Sequence, residues 1–171
     1  MSKILITGSS GVGKSTVIQE LGRRGYIAID GDAEPGLARL EIRETGEPVE
    51  WPKGFVDWHA YSWNLQEPVL KRALSRDETM FLGGIYGNQP DYYHLFDKLI
   101  VLDVTPEEHL RRLDTRPTRP VGDDNQNIQD KLGKYPILMK RFLDSGFVPV
   151  YASGNVAQTV DRILELVEHE N

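Results

Sequence analysis

The chain contains no cysteine, which excludes disulfide staples, thiolate zinc sites and cysteine nucleophiles. Its four histidines show no paired spacing, so no histidine-based zinc signature is present either. Basic residues are the minority: 20 Lys and Arg stand against 26 Asp and Glu, a formal net charge of −6. Binding to duplex nucleic acid or to an anionic membrane rests on an excess of positive charge, and neither partner is expected. No run approaches the ~20 apolar residues of a membrane-spanning helix. Ile4-Leu5-Ile6 is interrupted too soon to serve as a signal-peptide core. Internal repeats, low-complexity tracts and interior linkers are also absent. These absences lead to the expectation of a cytoplasmic protein, and 171 residues suit one domain, as a monomer or homodimer.

What is present alternates between short β-branched runs and amphipathic segments. Lys3–Thr7 reads as a buried parallel strand. Residues 8–13 are a Gly/Ser-rich turn, and residues 14–24 carry Val17, Ile18 and Leu21 at helical spacing before closing at Gly25. Residues 26–30, 79–82, 98–103 and 147–151 read as four further strands. Thr105-Pro106-Glu107-Glu108 opens a helix with a capping hydroxyl, proline at its first position and acid in its first turn. Residues 156–168 form a last amphipathic helix. Between about 33 and 76 the pattern is irregular and then helical, punctuated by Pro48, Pro52 and Pro68. Strands alternating with helices imply right-handed crossovers and a parallel sheet covered on both faces: a three-layer α/β domain.

Gly8-Ser9-Ser10-Gly11-Val12-Gly13-Lys14-Ser15 fits G-x-x-x-x-G-K-[ST] in full. The glycines let successive N–H groups turn inward, making an anion nest at the start of the following helix. Lys14 supplies a point charge for β- and γ-phosphates, and the Ser15 hydroxyl is a hard oxygen ligand for Mg²⁺. With Thr16 in the helix's first turn, residues Gly8, Ser9, Ser10, Gly11, Val12, Gly13, Lys14, Ser15 and Thr16, together with Arg112, form the candidate nucleotide-binding set.

The run from Ile4 to Thr16 resembles the opening of the small P-loop kinases, the group that holds adenylate, shikimate and gluconate kinases. The resemblance extends along most of the chain. Asp30-Gly31-Asp32 resembles the Asp-x-Asp of shikimate kinases, which implies metal support by Asp30 and acceptor binding by Asp32. Gly83-Gly84 resembles that family's glycine stretch on the substrate floor. Arg112 and Arg119, seven apart, resemble its lid arginines, and residues 119–132 resemble the lid exit of adenylate kinases. Residues 146–166, with Ala152-Ser153-Gly154-Asn155, are similar to the group's fifth strand and adenine-side loop. The resemblance implies a P-loop NTPase fold whose five parallel strands lie in the order 2-3-1-4-5, with a helical flap over about 33–76 and a lid over about 112–127. The chain also departs from both named families. Gly83-Gly84-Ile85-Tyr86-Gly87-Asn88 stands where adenylate kinases carry Asp-Gly-x-Pro-Arg, and Ile85 replaces the third glycine of the shikimate kinase run. Only Lys131 stands near the place of the adenylate kinase arginine after the lid. Neither acceptor site is intact.

The remaining constellations admit two readings each. Asp30 and Asp32 stand where in-line phosphoryl transfer needs a carboxylate near the nucleophile and oxygen ligands around Mg²⁺; the same pair also suits an Asx turn. Asp103 competes with Asp30 for the metal role. Arg111, Arg112, Arg116 and Arg119 can neutralise a transferring phosphoryl group as a lid closes; Arg112 and Arg119 are the catalytic candidates, and Arg111 reads as solvated. All three tryptophans fall between 51 and 63, with Phe55, His59 and Tyr61. They would wall the acceptor pocket or, because Trp58, Tyr61 and Leu65 lie at helical spacing, pack a small helical flap. Arg39 and Arg43 are candidates to hold an anionic acceptor.

The expected function is Mg²⁺-dependent transfer of the ATP γ-phosphoryl group to a hydroxyl or phosphate of a small molecule. Lys14 would clamp phosphates, Ser15 and Asp30 would hold the metal, Asp32, Gly83 and Gly84 would face the acceptor, and Arg112 and Arg119 would neutralise developing charge. A nucleoside monophosphate kinase is one alternative, and it needs two or more arginines on the acceptor phosphate. A nucleotide-binding switch or weak ATPase acting through a protein partner is the other. No Asn-Lys-x-Asp guanine-reading motif supports a GTPase.

Overall fold

Ile4, Leu5, Ile6 and Thr7 are all 0% exposed in the computed structural model, which describes residues 1–52, 56–115 and 125–168. Successive strand side chains point to opposite faces, so a strand with no exposed residue must be covered on both. This strand, β1 (Lys3–Thr7), is the centre of a five-stranded parallel sheet. Its neighbours are β5 (Met80–Gly83), in register Ile4↔Phe81, and β6 (Lys98–Asp103), in register Ile6↔Ile100. The edges are β2 (Ile27–Asp30) beside β5 and β7 (Val148–Tyr151) beside β6. Two strands outside this sheet are set aside in the count, and the order is then the expected 2-3-1-4-5.

Helix α1 (Lys14–Arg23) follows β1 directly and buries Val17, Ile18 and Leu21. Helix α5 (Val156–Glu168) packs beside it with Val160 and Ile163 at 0% exposure. Arg24 joins the two, donating to Asp161 Oδ1 at 2.6 Å and to the Ala157 carbonyl at 3.0 Å. Helix α3 (Pro106–Asp114) starts as expected: Thr105 Oγ1 accepts from the Glu108 N–H and Pro106 occupies the first turn. Helix α4 (Asn125–Asp144) contributes Tyr135, Met139 and Phe142 to the core despite Pro136 within it. Among the described residues no helix is long and apolar enough to cross a membrane.

The flap is not the helical element expected. Residues 33–76 hold an antiparallel ribbon of β3 (Ala38–Ile42) and β4 (Tyr61–Leu65), and only then helix α2 (Glu67–Leu74). The helical spacing of Trp58, Tyr61 and Leu65 is coincidental. Tyr61 begins a strand, and the residues before it form a turn closed by the Ala60 and Tyr61 N–H groups on the Asp57 carbonyl. Asn88 ties the ribbon to the main sheet: its Oδ1 accepts from Leu65 N–H at 2.8 Å and its Nδ2 donates to the Leu65 carbonyl at 3.0 Å.

Tyr86 fixes the seam between β2 and β5. It is 4% exposed, and its hydroxyl donates to the Gly83 carbonyl at 3.2 Å. A Cβ on Gly31 or on Gly84 would overlap that hydroxyl. Gly31→Ala should therefore cost about 1–3 kcal/mol, the scale for overpacking, and clearly less in a Tyr86→Phe background, where the overlapping oxygen is gone. Urea unfolding of the four proteins measures this coupling; equal costs in the two backgrounds would contradict the packing described.

Candidate active site

The site begins where β1 ends. The chain leaves the sheet at Thr7 and must reverse within a few residues to start α1, and it does so through glycines at positive φ. Gly11 has φ +85° and Gly13, the residue capping α1, φ +105°, values that side-chain-bearing residues rarely adopt. No side chain caps α1, and the N-terminal end of the helix borders the cavity together with the loop. Lys14 Nζ donates to the carbonyls of Gly8 at 2.9 Å and Ser9 at 3.0 Å, turning its ammonium back onto the loop. A cavity of about 460 Å³ opens here, walled by residues 10–17 together with Asp32, Ile85, Arg112 and the Ala152–Gly154 loop.

Arg112 makes the wall continuous. Its Nη1 donates to the Val12 carbonyl and its Nη2 to the Ala152 carbonyl, both at 2.7 Å. One planar guanidinium thus bridges the phosphate loop and the loop after β7. Glu108 holds the third edge, accepting from Arg112 Nε at 2.7 Å. Hydrogen bonds from Arg111 and Arg112 keep the Glu108 carboxyl at about 2, well below its ordinary value of 4.5. Arg112 was expected to belong to a lid; the structure instead anchors it in α3. Arg111 is exposed as expected and pairs with Glu108 at 2.7 Å. Arg116 and Arg119, and most of the expected lid, lie outside the described residues.

Beneath the loop sit two residues that sequence reasoning passed over. His109 is 0% exposed, with Nε2 2.7 Å from the Ser10 carbonyl. Its ring lies 4.9 Å from that of Tyr135, whose hydroxyl donates to Asp103 Oδ1 at 2.7 Å. Asp103, the rival metal carboxylate, is thus engaged with Tyr135, and it is not among the residues walling the cavity. The i, i+4 pair His109 and Leu113 on one face of a capped helix was the available signal.

On the acceptor side, Asp32 reaches the cavity wall and Asp30 does not. Asp30 Oδ1 accepts from the Asp32 N–H at 3.3 Å, an Asx turn that aims the second carboxylate. Trp63 Nε1–H donates to Asp32 Oδ1 at 3.1 Å, so the flap is in contact with the site. The tryptophans pack edge to face, Trp51 lying 6.1 Å from Trp58 and 5.7 Å from Trp63. Phe55 lies outside the described residues. Gly83 and Gly84 are not in the wall, and each has a packing reason: a Cβ would overlap Ile18 at the first and Tyr86 at the second. Arg39 pairs with Glu41 at 2.7 Å, and Arg43 donates to the Trp58 carbonyl at 3.0 Å. Neither reaches the cavity wall.

The donor set suits Mg²⁺, which takes one or two protein oxygens and completes its shell with phosphate and water. Ser15 and Asp32 present such oxygens in the wall, with Asp30 two residues away. Among the described residues no three acidic or histidine side chains form an all-protein cage.

Because the folded-state pKa of Glu108 is depressed, its contribution is present above its ordinary 4.5 and is lost as pH falls through about 2. The ion pair holding Arg112 is therefore constant near neutrality. Glu108→Gln should weaken nucleotide binding about 2- to 5-fold, by the same ratio at every pH from about 5 to 8. Calorimetric titration at several pH values measures this; a ratio that changes across the range would contradict it.

Solved structures of the same fold span nearly the whole chain. Shikimate kinase from Bacteroides thetaiotaomicron aligns with a TM-score of 0.63 and 18% identity over 98% of both chains. Deoxyadenosine kinase from M. mycoides, with dATP bound, aligns at 0.59 and 19% identity over 98% of this chain and 99% of that one. TT1252 from Thermus thermophilus aligns at 0.59 and 20% over 99% and 97%. No match is found among curated protein sequences. The fold is that of the small P-loop kinases of the adenylate- and shikimate-kinase-like group. Residues 4–132, well over half of the chain, match the family described as AAA domain, and the protein belongs to that family.

Proposed function

We propose that the protein transfers the γ-phosphoryl group of ATP to a hydroxyl of a small molecule, with Mg²⁺. The observation that carries this reading is convergence: the glycine-rich loop, Lys14, Arg112 and the Asp32 carboxylate border one cavity. The deoxyadenosine kinase structure of the same fold, which holds dATP, supports a nucleotide as the ligand.

ATP binds with its β- and γ-phosphates against the N–H groups of the loop, and the Lys14 ammonium exchanges its backbone carbonyls for phosphate oxygens. Ser15 and Asp30 would hold Mg²⁺, directly or through water, and the metal would supply neutralisation of the charge that develops on the leaving group. The acceptor hydroxyl lies beside Asp32, which orients it and takes its proton as the oxygen attacks the γ-phosphorus. The bond from that phosphorus to the β-bridging oxygen breaks, and ADP leaves. Arg112 holds the wall on the nucleotide side. A hydroxyl suits this site better than a phosphate acceptor: Asp30 and Asp32 are negative, and among the described residues Arg39 and Arg43 are directed to Glu41 and Trp58.

Lys14→Ala should leave the fold intact and lower ADP formation by roughly 10²–10³, the scale for one preorganised charge-stabilising donor. Retention of more than about half the activity would remove Lys14 from the mechanism. Asp32→Asn should lower kcat with ATP affinity little changed, because the carboxylate acts on the acceptor. Coupled assays over a panel of alcohols measure both. Slow hydrolysis that is indifferent to every added alcohol would favour a switch or weak ATPase over a kinase.

A further inference from the structure

We propose that His109 is a positioning residue of the phosphate loop: its Nε2–H holds the Ser10 carbonyl, and thereby turns the Gly11 N–H toward the nucleotide. Ser10 C=O and Gly11 N–H belong to one peptide unit. In a trans peptide these two vectors point in opposite directions, and no cis bond is present among the described residues. The Ser10 oxygen is drawn to α3, 2.7 Å from Nε2. The Gly11 N–H is consequently directed away from α3, and Gly11 lines the cavity. The close approach is built in from both sides, since a Cβ on Gly11 would lie 2.8 Å from Leu113 Cδ2 and 3.7 Å from His109 Cδ2.

The chemistry of the ring separates this role from plain packing. A carbonyl only accepts, so Nε2 carries the hydrogen in this contact. Nδ1 is buried without a hydrogen-bond partner among the described residues. A leucine would fill the same space without an orphaned nitrogen, so the imidazole's presence is accounted for by its bond to Ser10. Burial holds the ring's pKa below the ordinary value, against the pull of the Ser10 carbonyl. Lys131, Lys14 and Arg112 push in the same direction as burial. The ring is therefore neutral at pH 7, with one donor committed to the loop. Tyr135 braces it from α4, fixed in turn by Asp103 and by the Val104 N–H at 3.1 Å. A chain of contacts thus runs from the end of β6 to the back of the phosphate loop.

This inference rests on the cavity being a triphosphate site, and the test separates the two. ATP affinity is measured by calorimetric titration for the native protein, His109→Gln, His109→Leu and Lys14→Ala, with thermal midpoints recorded for each. His109→Leu should weaken ATP binding about 10-fold, the scale for losing one oriented donor to a charged group. His109→Gln, whose amide N–H can occupy the place of Nε2–H, should recover most of that loss even if its thermal midpoint is no higher than that of the leucine variant. Native-like affinity in His109→Leu overturns the proposal, as does a glutamine variant that binds no better than the leucine one. Should the leucine variant not fold, long-range ¹⁵N–¹H NMR of the native protein decides. The neutral Nε2–H tautomer with a resonance that moves on adding ATP supports the role, and the Nδ1–H tautomer overturns it. A folded native protein that binds no ATP defeats the triphosphate reading itself. Loss of binding in Lys14→Ala alone defeats only the role of His109.

Discussion

The structure depends on one constraint: the short stretch of backbone between β1 and α1 must turn through glycines at positive φ at the edge of the cavity. Such backbone is adopted only where the surroundings fix its geometry. Here β1 fixes the start, buried on both faces, and α1 fixes the end. The φ values of +85° and +105° at Gly11 and Gly13 leave the loop little freedom between them. α3 supports it from beneath, with Leu113 and His109 against Gly11 and Arg112 on the Val12 carbonyl. The loop after β7 is joined to it through the same guanidinium. Three stretches distant in sequence, the β1–loop–α1 run, α3 and the loop after β7, thus hold the loop in one shape.

Charge is distributed to match. The chain is net −6, yet Lys14, Arg112 and Lys131 all lie close enough to His109 to disfavour its protonation. Negative charge is gathered on the other side, where Asp30 and Asp32 both act on Tyr86 and help burial raise its pKa. On the proposed reading this asymmetry would draw a polyanion to one side of the cavity and tolerate a neutral hydroxyl on the other.

The parallel sheet and the phosphate loop were legible in the chain because each rests on local patterns: uninterrupted β-branched runs, glycines at fixed intervals, a capped helix start at Thr105. The strand order came only through the resemblance to the small P-loop kinases. The flap was not legible. Trp58, Tyr61 and Leu65 mimic a helical face, and what overrides them is non-local: the pairing of Leu40 with Trp63 and the Asn88 bonds that fix β4. The partner of Arg43 was hidden for the same reason, since its contact with Trp58 exists only once the ribbon folds back. Gly83 and Gly84 suggested a substrate floor, but their neighbours Ile18 and Tyr86 explain the missing side chains. His109 was obscured by the absence of any histidine pair, because its role is to hold a backbone carbonyl, a contact that leaves no motif.

The most direct test of the central claim is a crystal structure of the protein with Mg²⁺ and a non-hydrolysable ATP analogue. The account predicts the β- and γ-phosphates within hydrogen-bond distance of the N–H groups of Gly11 through Ser15 and of Lys14 Nζ. It also predicts the metal beside Ser15, and the Asp32 carboxylate on the open side of the γ-phosphate. A nucleotide bound outside this cavity, or one whose γ-phosphate faces away from Asp32, would contradict it.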